Sequence, residues 1–434
     1  MTTATLMQAA ARAVKPIRIG HVARVVGLQL EVRGVIAAIG DAIEIATDSE
    51  PLETEVVALT DDGAVCLPYG ELHGVRVGAT AIATGRPSSI AVGPGLLGRI
   101  VDGLGRPVDD GPAIGGRAVS VTGAPPHPLR RAMVDQPLPL GVRAMDTLIP
   151  CGRGQRLGIF AGSGVGKSSL LSMIARGTEA DISVIALIGE RGREVREFIE
   201  NDLGPEGLAR SVVVVATSDS PALVRLRAAF AATRIAEYFR DEGRNVVLMM
   251  DSVTRFCMAQ REIGLTAGEP PATRGYPPSV FALLPRLLER AGAGEHGSIT
   301  GLYTVLVDGD DMNEPIADAA RSILDGHVVL SRRLATAGHF PSIDVLESIS
   351  RVVGAITTPE QRNASIEFRK LMAAYREAKD LIEIGAYVAG TNPEVDRAVA
   401  LRDAMDGFLR QGMDERCAAQ EAWNALFTIL GSAQ

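Results

Sequence analysis

The chain has 434 residues, of which 46% are hydrophobic and 22% are charged, so its composition is globular and its length exceeds what a single hydrophobic core supports. The formal net charge of −8 argues against a protein that binds nucleic acid through a broad basic surface. No apolar run approaches the roughly 18 residues that span a bilayer, and residues 1–20 lack the apolar centre of a signal peptide, so we expect a cytoplasmic protein.

The N-terminal part of the chain predicts a β-domain. Residues 1–17 form a short Ala-rich lead. Residues 18–92 contain short runs of Val and Ile, such as Val22–Val26, separated by Gly and Asp. Short strands at this spacing predict a small β-barrel. Residues 93–141 are dense in Gly and Pro, which marks connecting segments. Because this stretch is longer than a linker needs, we expect it to lie against the following domain, and we assign residues 93–355 to that domain.

Between residues 150 and 355, apolar runs of strand length alternate with helical patterns. The predicted strands are Leu157–Phe160, Ser183–Ile188, Ser211–Ala216, Asn245–Met250, Thr300–Val307 and Val328–Leu330. Pro221 follows Ser218–Ser220 and Pro315 follows Asn313, and a proline near the first helical position behind a capping residue predicts a helix start. The alternation predicts an α/β fold, with a parallel sheet covered by helices on both faces.

Residues 356–434 predict a helical C-terminal domain. Asn392 and Pro393 form a helix start, and Gly412 lies beyond the end of that helix. Five apolar residues share one face of the helix: Val395, Ala398, Leu401, Met405 and Phe408.

A glycine-rich run, residues 161–168, follows a predicted strand and opens a helix. The backbone N–H groups of such a loop, together with the helix N-terminus, hold phosphate oxygens. Lys167 can then reach the β and γ phosphates of a nucleotide, and the Ser168 hydroxyl can bind Mg²⁺. The usual pattern begins with Gly, and this sequence has Ala161 there; the glycines that follow keep the loop flexible.

Two carboxylates follow apolar strands that belong to the same predicted sheet. Asp251 ends the strand that contains Val246–Met250, where ligands of α/β sheets collect, and we expect it to hold Mg²⁺. Glu190 follows the strand that ends at Ile188, where a carboxylate can polarise an attacking water. Since Glu190 also begins a run of charged residues, its spacing alone does not distinguish a catalytic carboxylate from an exposed surface residue.

Phosphoryl transfer also needs positive charge on the transferred group, and a neighbouring chain often supplies it as an arginine. The candidates are Arg191, Arg255, Arg321 and Arg351. Reasoning from the residues alone does not select among them.

Taken together, these stretches resemble the hexameric ATPase family that includes the rotary ATP synthase catalytic subunit and the export ATPases of flagella and type III secretion systems. The resemblance covers nearly the whole chain. Its most specific blocks are Gly98–Pro107, Leu187–Val195, Met250–Arg255, Ala259–Ile263, Gly268–Ser279 and Asp311–Pro315. Several blocks are closer to the export branch than to the synthase branch. Ala161–Val165 and Pro271–Tyr276 are more similar to the flagellar enzymes than to the injectisome enzymes.

The resemblance implies a role for each matching residue. Glu190 matches the catalytic carboxylate and Arg191 a phosphate-facing arginine. Phe340 matches the aromatic residue that stacks on adenine, and Arg351 the arginine that reaches into the neighbouring subunit's site. With Lys167 as a catalytic cation and Ser168 and Asp251 as Mg²⁺ ligands, the implied nucleotide-binding residues of the loop are Gly162, Ser163, Gly164, Val165, Gly166, Lys167, Ser168 and Ser169.

The implied function is ATP hydrolysis, with Mg²⁺, in a homohexamer that energises type III export of flagellar proteins. The implied partners are a stator-like negative regulator, a central-stalk protein, an export-gate membrane complex, and export chaperones with their substrates. The expected location is cytoplasmic, peripherally associated with the inner membrane at the export apparatus. The alternative within the family is the ATPase of a virulence-type injectisome.

Two further classes are weaker predictions. A non-catalytic ring subunit would lack the catalytic carboxylate, but Glu190 is present together with Lys167 and Asp251. A ring-shaped nucleic-acid translocase would carry exposed aromatics for base stacking in its N-terminal domain, but residues 19–92 contain only Tyr69. We therefore expect no nucleic-acid partner.

Overall fold

The computed structural model describes residues 19–307 and 311–431; the predicted lead, residues 1–17, lies outside this range, as does the side chain of Arg86. The first six strands close into a barrel, as predicted. They are β1 (Ile19–Val26), β2 (Gln29–Arg33), β3 (Asp41–Ile45), β4 (Leu52–Thr60), β5 (Gly63–Pro68) and β6 (Thr80–Pro87), in the spatial order β1-β2-β5-β4-β3-β6. Alternate residues such as Val22, Leu30 and Ile43 fill the interior, the two-residue period of a half-buried strand.

The Gly- and Pro-rich segment is structured and packs against the next domain, as predicted. Among the described residues it contains two short strands, β8 (Ile100–Asp102) and β9 (Arg117–Ser120), and a third, β7 (Ser89–Val92), directly precedes it. β7 and β9 pair with each other as an antiparallel ribbon. β8 pairs in parallel with the strand Ser211–Ala216 and thereby becomes an edge of the central sheet.

The central sheet has nine strands in the part of the chain that the structure describes. Besides β8 they are β10 (Arg156–Ala161), β11 (Ile182–Ile188), β12 (Ser211–Ala216), β13 (Asn245–Asp251), β14 (Gly292–Ala293), β15 (Ser298–Leu306), β16 (Gly326–Leu330) and β17 (Ile343–Ser350). The main path runs β17-β16-β10-β15-β13-β11-β12-β8, and all six predicted strands are present. The prediction of a parallel sheet holds for its centre, but β14 and β17 pair antiparallel to β15 and β16. The sequence prediction missed both of these strands.

Helices cover the sheet and form the C-terminal part. They are α1 (Arg143–Leu148), α2 (Lys167–Gly177), α3 (Gly192–Glu197), α4 (Gly204–Ala209), α5 (Ala222–Asp241), α6 (Val253–Thr266), α7 (Pro278–Leu288), α8 (Pro315–Ile323), α9 (Arg332–Thr336), α10 (Val353–Ile356), α11 (Pro359–Glu383), α12 (Pro393–Leu409) and α13 (Ala419–Leu430). A π-helical turn, Phe198–Leu203, joins α3 to α4. Among residues 19–307 and 311–431, no helix combines the length and the apolar character needed to cross a membrane.

All three predicted helix starts are present, but only one of them has the predicted capping side chain. Asn392 caps α12, because its side-chain oxygen accepts the N–H groups of Glu394 and Val395. Pro221 is itself the N-terminal flanking residue of α5, and no side chain caps this helix, so the expected cap from Ser218–Ser220 is not formed. Pro315 is the first residue of α8, but Glu314, and not Asn313, precedes it, again without a side-chain cap.

A buried ion pair joins the barrel to the central domain. The Arg227 guanidinium on α5 donates from Nε to Glu55 Oε2 on β4 at 2.7 Å, and its Nη2 also contacts Glu55. The Tyr69 hydroxyl donates to the same carboxylate. Both charged side chains are more than nine-tenths buried. Each buried charge therefore needs the other to compensate it. Because Glu55 belongs to the barrel and Arg227 to the central domain, this pair holds the two domains together.

We predict that Arg227→Met destabilises the protein by about 3–5 kcal/mol, because it leaves the Glu55 carboxylate buried beside Tyr69 alone. Adding Glu55→Gln should recover part of this loss. Unfolding of the full chain by calorimetry and by denaturant measures both effects.

The matched control is Arg225→Met on the same helix. Arg225 pairs with Glu262, whose side chain is 44% exposed, so the expected loss is below about 1 kcal/mol. Equal losses for the two arginine variants would contradict a special role of the buried pair.

Candidate active site

The glycine-rich loop joins β10 to α2, as the sequence predicts. Gly164 and Gly166 have φ angles of 74° and 92°, a left-handed conformation that glycine adopts without steric cost. Ser163, Gly164 and Ser168 are exposed, whereas Val165 is fully buried and anchors the loop. This geometry leaves the backbone of the loop and the N-terminus of α2 open to a phosphate group.

Ala161, the departure from the usual pattern, is the last residue of β10 and is 1% exposed. Its carbonyl accepts the N–H of Val307. Its methyl group therefore fills the core below the loop and does not obstruct the phosphate-binding surface.

The Lys167 ammonium lies between the two predicted carboxylates. Its Nζ is 3.3 Å from Glu190 Oε1 and contacts Asp251 Oδ1. Burial lowers the pKa of Lys167, but the charges of Asp251 and Glu190 outweigh burial and raise its pKa above the ordinary value. Burial also raises the pKa of Glu190, and the neighbouring Asp251 charge adds to this rise.

The sheet explains why these side chains meet. β11 and β13 are parallel neighbours, with Leu187 beside Asp251. Every residue of β11 is buried, and Glu190 follows two residues after the strand ends. Both carboxylates therefore lie at the carboxyl edge of the sheet, where the loop after β10 also emerges.

Thr304 is a polar residue of the site that sequence reasoning missed. It is fully buried on β15, between β10 and β13, and its hydroxyl lies 2.8 Å from Asp251 Oδ1 and 3.2 Å from the carbonyl of Met250. It holds the Asp251 carboxylate in one orientation. A threonine inside an apolar strand carries no local signal for this contact, since it depends on the pairing of β13 with β15.

A cavity of about 280 Å³ opens beside this cluster. Ser168, Glu190 and Asp251 line it, together with carboxylates from α3 and from the π-helical turn. Mg²⁺ prefers hydroxyl, carboxylate and water oxygens, so the Ser168 hydroxyl and the Asp251 carboxylate fit this cation.

Phe340 lies on the other side of the loop. It is 46% exposed, unusual for a Phe, and a side-chain carbon placed on Gly166 would be 3.4 Å from its ring. The Ser342 hydroxyl donates to the Val165 carbonyl at 2.5 Å and so ties this segment to the glycine-rich loop. An exposed aromatic face at this position can stack on the base of a nucleotide whose phosphates occupy the loop.

The two predicted arginines stand apart from the cluster. The Arg191 side chain is 78% exposed and lies 3.5 Å from Glu194. Arg351 follows β17 and is exposed, with its backbone N–H bonded to Asp325 at the amino end of β16. Because β17 is antiparallel, this end is about 20 Å from the loop level of the sheet, beyond the reach of an arginine side chain.

The other two candidate arginines, Arg255 and Arg321, contact residues of their own chain. Arg255 packs on Gly189, where an added side-chain carbon would be 2.9 Å from its stem. Arg321 pairs with Asp318 on α8 at 3.0 Å.

Comparison with known families and proteins gives a consistent result. Residues 141–350 match the ATP synthase alpha/beta family, nucleotide-binding domain, and residues 357–428 match the T3SS EscN ATPase C-terminal domain. The chain is 53% identical to a flagellum-specific ATP synthase of Bacillus subtilis, over 96% of each chain. It is 50% identical to a type 3 secretion system ATPase of Xanthomonas euvesicatoria, over 96% of this chain and 95% of that protein.

Two solved structures are similar over 95% of this chain and all of their own. One is the assembled ATPase EscN from the enteropathogenic E. coli type III secretion system, with 47% identity and a TM-score of 0.91. The other is the same ATPase in complex with its central stalk EscO, with 46% identity and a TM-score of 0.89.

We predict that Thr304→Val raises the Mg²⁺ concentration needed for half-maximal nucleotide hydrolysis by about tenfold, because it removes the hydroxyl that orients Asp251, the predicted Mg²⁺ ligand. A titration of hydrolysis against Mg²⁺ at saturating nucleotide measures this.

Thr300→Val on the same strand is the matched control. The buried Thr300 hydroxyl accepts the Gly154 N–H at 2.8 Å, at the opposite edge of the sheet. This variant loses a hydrogen bond but should keep the wild-type Mg²⁺ dependence. The same shift in both variants would show that the effect is general destabilisation.

Proposed function

The chain belongs to the family of flagellum-specific ATP synthases and type III secretion ATPases, and we propose that this ATPase energises type III export of flagellar proteins. The contact of Lys167 with both Glu190 and Asp251 beside the glycine-rich loop carries the catalytic part of the proposal. Similarity to export ATPases along almost the whole chain carries the biological part.

In this proposal the loop N–H groups and Lys167 hold the triphosphate of ATP. Negatively charged phosphates compete with Glu190 and Asp251 for the Lys167 ammonium. Glu190 then accepts a hydrogen bond from the attacking water and directs it at the γ-phosphate. Ser168 and Asp251 are the residues that hold Mg²⁺, which when bound neutralises charge on the phosphate oxygens. Phe340 stacks on adenine.

Arg351 completes the site of a neighbouring subunit in a homohexamer. Its exposure and its distance from the loop of its own chain support this assignment, since an arginine at that end of the sheet does not reach its own loop but is accessible to a neighbouring copy. Arg191 is also exposed, and it can turn toward the phosphates from its position next to Glu190.

The proposed partners follow the family. A central-stalk protein is supported by the stalk complex of EscN. A stator-like negative regulator, an export-gate membrane complex, and export chaperones with their substrates are further proposed partners, and no nucleic acid is expected. These partners would place the chain in the cytoplasm, peripherally associated with the inner membrane.

The flagellar assignment rests on Ala161–Val165 and Pro271–Tyr276, which are more similar to flagellar enzymes. The identities of 53% to a flagellar and 50% to an injectisome relative are close. An injectisome ATPase is therefore the second candidate.

We predict that deleting the chain in the organism that encodes it abolishes flagellar filaments and swimming. A wild-type copy should restore both, whereas Glu190→Gln, which retains the shape of the side chain but cannot act as a carboxylate, should restore neither. Filament counts, swimming assays and the secretion of flagellin measure this. Normal filaments together with lost effector secretion would instead assign the chain to an injectisome.

We also predict complementation between two inactive variants. The Arg351→Ala subunit has an intact glycine-rich loop but lacks the arginine for its neighbour's site. The Lys167→Ala subunit has an inactive loop but still supplies Arg351 to its neighbour. Mixed in equal amounts, they should recover at most about a quarter of the wild-type rate, because only sites with an intact loop facing an intact Arg351 are active.

Steady-state ATP hydrolysis of the mixture, after subunit exchange, measures this recovery. Arg321→Ala is the control and should show activity without mixing. If the mixture stays as inactive as its components, Arg351 does not act across the subunit boundary.

A further inference from the structure

The segment that carries Phe340 is held from the C-terminal helical part of the chain. His339 Nδ1 lies 3.0 Å from Asp406 Oδ1, and the backbone N–H of Gln411 donates to the Phe340 carbonyl at 3.0 Å. Arg410 Nη1 donates to the Gly338 carbonyl at 3.3 Å. The three contacts come from the last turn of α12 and from the two residues that follow it, and we call Asp406, Arg410 and Gln411 the α12 clamp.

Two residues of the α12 clamp also bind each other. Arg410 Nε donates to Asp406 Oδ2 at 2.8 Å, so one carboxylate binds both His339 and Arg410. His339 is 4% exposed although it adjoins the exposed Phe340. The histidine is therefore the buried anchor of this segment, and Asp406 is its partner on α12.

Gln411 connects the clamp to a second part of the nucleotide domain. Its side chain accepts the Arg143 N–H at 2.9 Å and donates to the carbonyls of Gly141 and Glu415 at 2.9 and 2.8 Å. Gly141 in turn packs on Gly177, the last residue of α2; an added carbon there would be 2.7 Å from Gly177 Cα. The end of α12 is therefore fixed relative to both ends of the phosphate-binding element, through Phe340 at the loop and Gly177 at the far end of the helix.

We infer that Asp406 and Arg410 are positioning residues for the nucleotide base: through His339 and Gly338 they hold Phe340 in place over the glycine-rich loop, without contacting the nucleotide themselves. This inference rests on the proposed function, in which Phe340 stacks on adenine. The phosphates, by contrast, are bound by the loop and Lys167, which have no contact with Asp406 or Arg410 among the described hydrogen bonds and ion pairs.

Because the base and the phosphates are held by different residues, the inference can be tested with two ligands, ATP and inorganic tripolyphosphate. Tripolyphosphate has the phosphates of ATP but no base. Isothermal titration of the full chain with each, in the presence of Mg²⁺, gives two dissociation constants. We expect Asp406→Ala to weaken ATP binding by about tenfold, the order of one lost aromatic–base stack, and tripolyphosphate binding by less than about twofold. Arg410→Ala should show the same pattern, with weaker ATP binding and a change in tripolyphosphate binding of less than about twofold.

Three further variants sharpen the comparison. Asp406→Asn keeps an oxygen acceptor for His339 and should restore most of the ATP affinity. Asp403→Ala, an exposed acidic residue one turn earlier on α12, should behave as wild type. Phe340→Ala should reproduce the pattern of Asp406→Ala, with a loss for ATP alone.

Equal weakening of both ligands in Asp406→Ala and Arg410→Ala would show general damage to the site and overturn the inference, as would unchanged ATP affinity in both. If Phe340→Ala binds ATP with wild-type affinity, the base does not stack on Phe340. That result would overturn the inference but would not contradict ATP hydrolysis as the proposed function. Failure of the wild-type chain to bind or hydrolyse ATP would instead overturn the proposed function.

Discussion

The candidate site depends on one charge arrangement, the Lys167 ammonium shared between Glu190 and Asp251. Each of these charges is largely removed from water, so each needs the others for compensation. Three separate chain segments must therefore end at the same edge of the sheet. The apolar strands β11 and β13 achieve this because their parallel pairing carries both carboxylates to that edge, beside the loop after β10.

The parts of this arrangement that could be predicted are those whose signal lies in consecutive residues of the sequence. The loop 161–168, the strand before Asp251 and the strand before Glu190 each have a local pattern, and the structure confirms these elements. The missed parts depend on pairing between distant segments. Thr304 resembles any buried strand residue until β15 lies beside β13, and β17 mixes polar with apolar residues at the sheet edge. The caps expected at Pro221 and Pro315 were wrong because proline also tolerates helix starts that lack a capping side chain.

The site is also layered in space. The phosphate-binding loop and the carboxylates belong to the sheet and are fixed by its strands. Phe340 belongs to a short segment whose position depends on Ser342 on one side and on α12 on the other. Arg351 directly follows β17, at the end of the sheet opposite the loop. In the proposed function, base binding, hydrolysis and subunit contact therefore depend on different elements, and substitutions in one element should alter one of them separately.

The barrel closes through the pairing of β1 with β6, so its last strand meets its first strand and none of the six described strands has an open edge. A protein that associates with copies of itself brings identical strands together at high local concentration, the condition in which open edges cross-pair and aggregate. Closure removes that hazard from this end of the molecule. A neighbouring copy therefore meets loops and side chains of this barrel, and no unpaired strand edge to which it could add a strand.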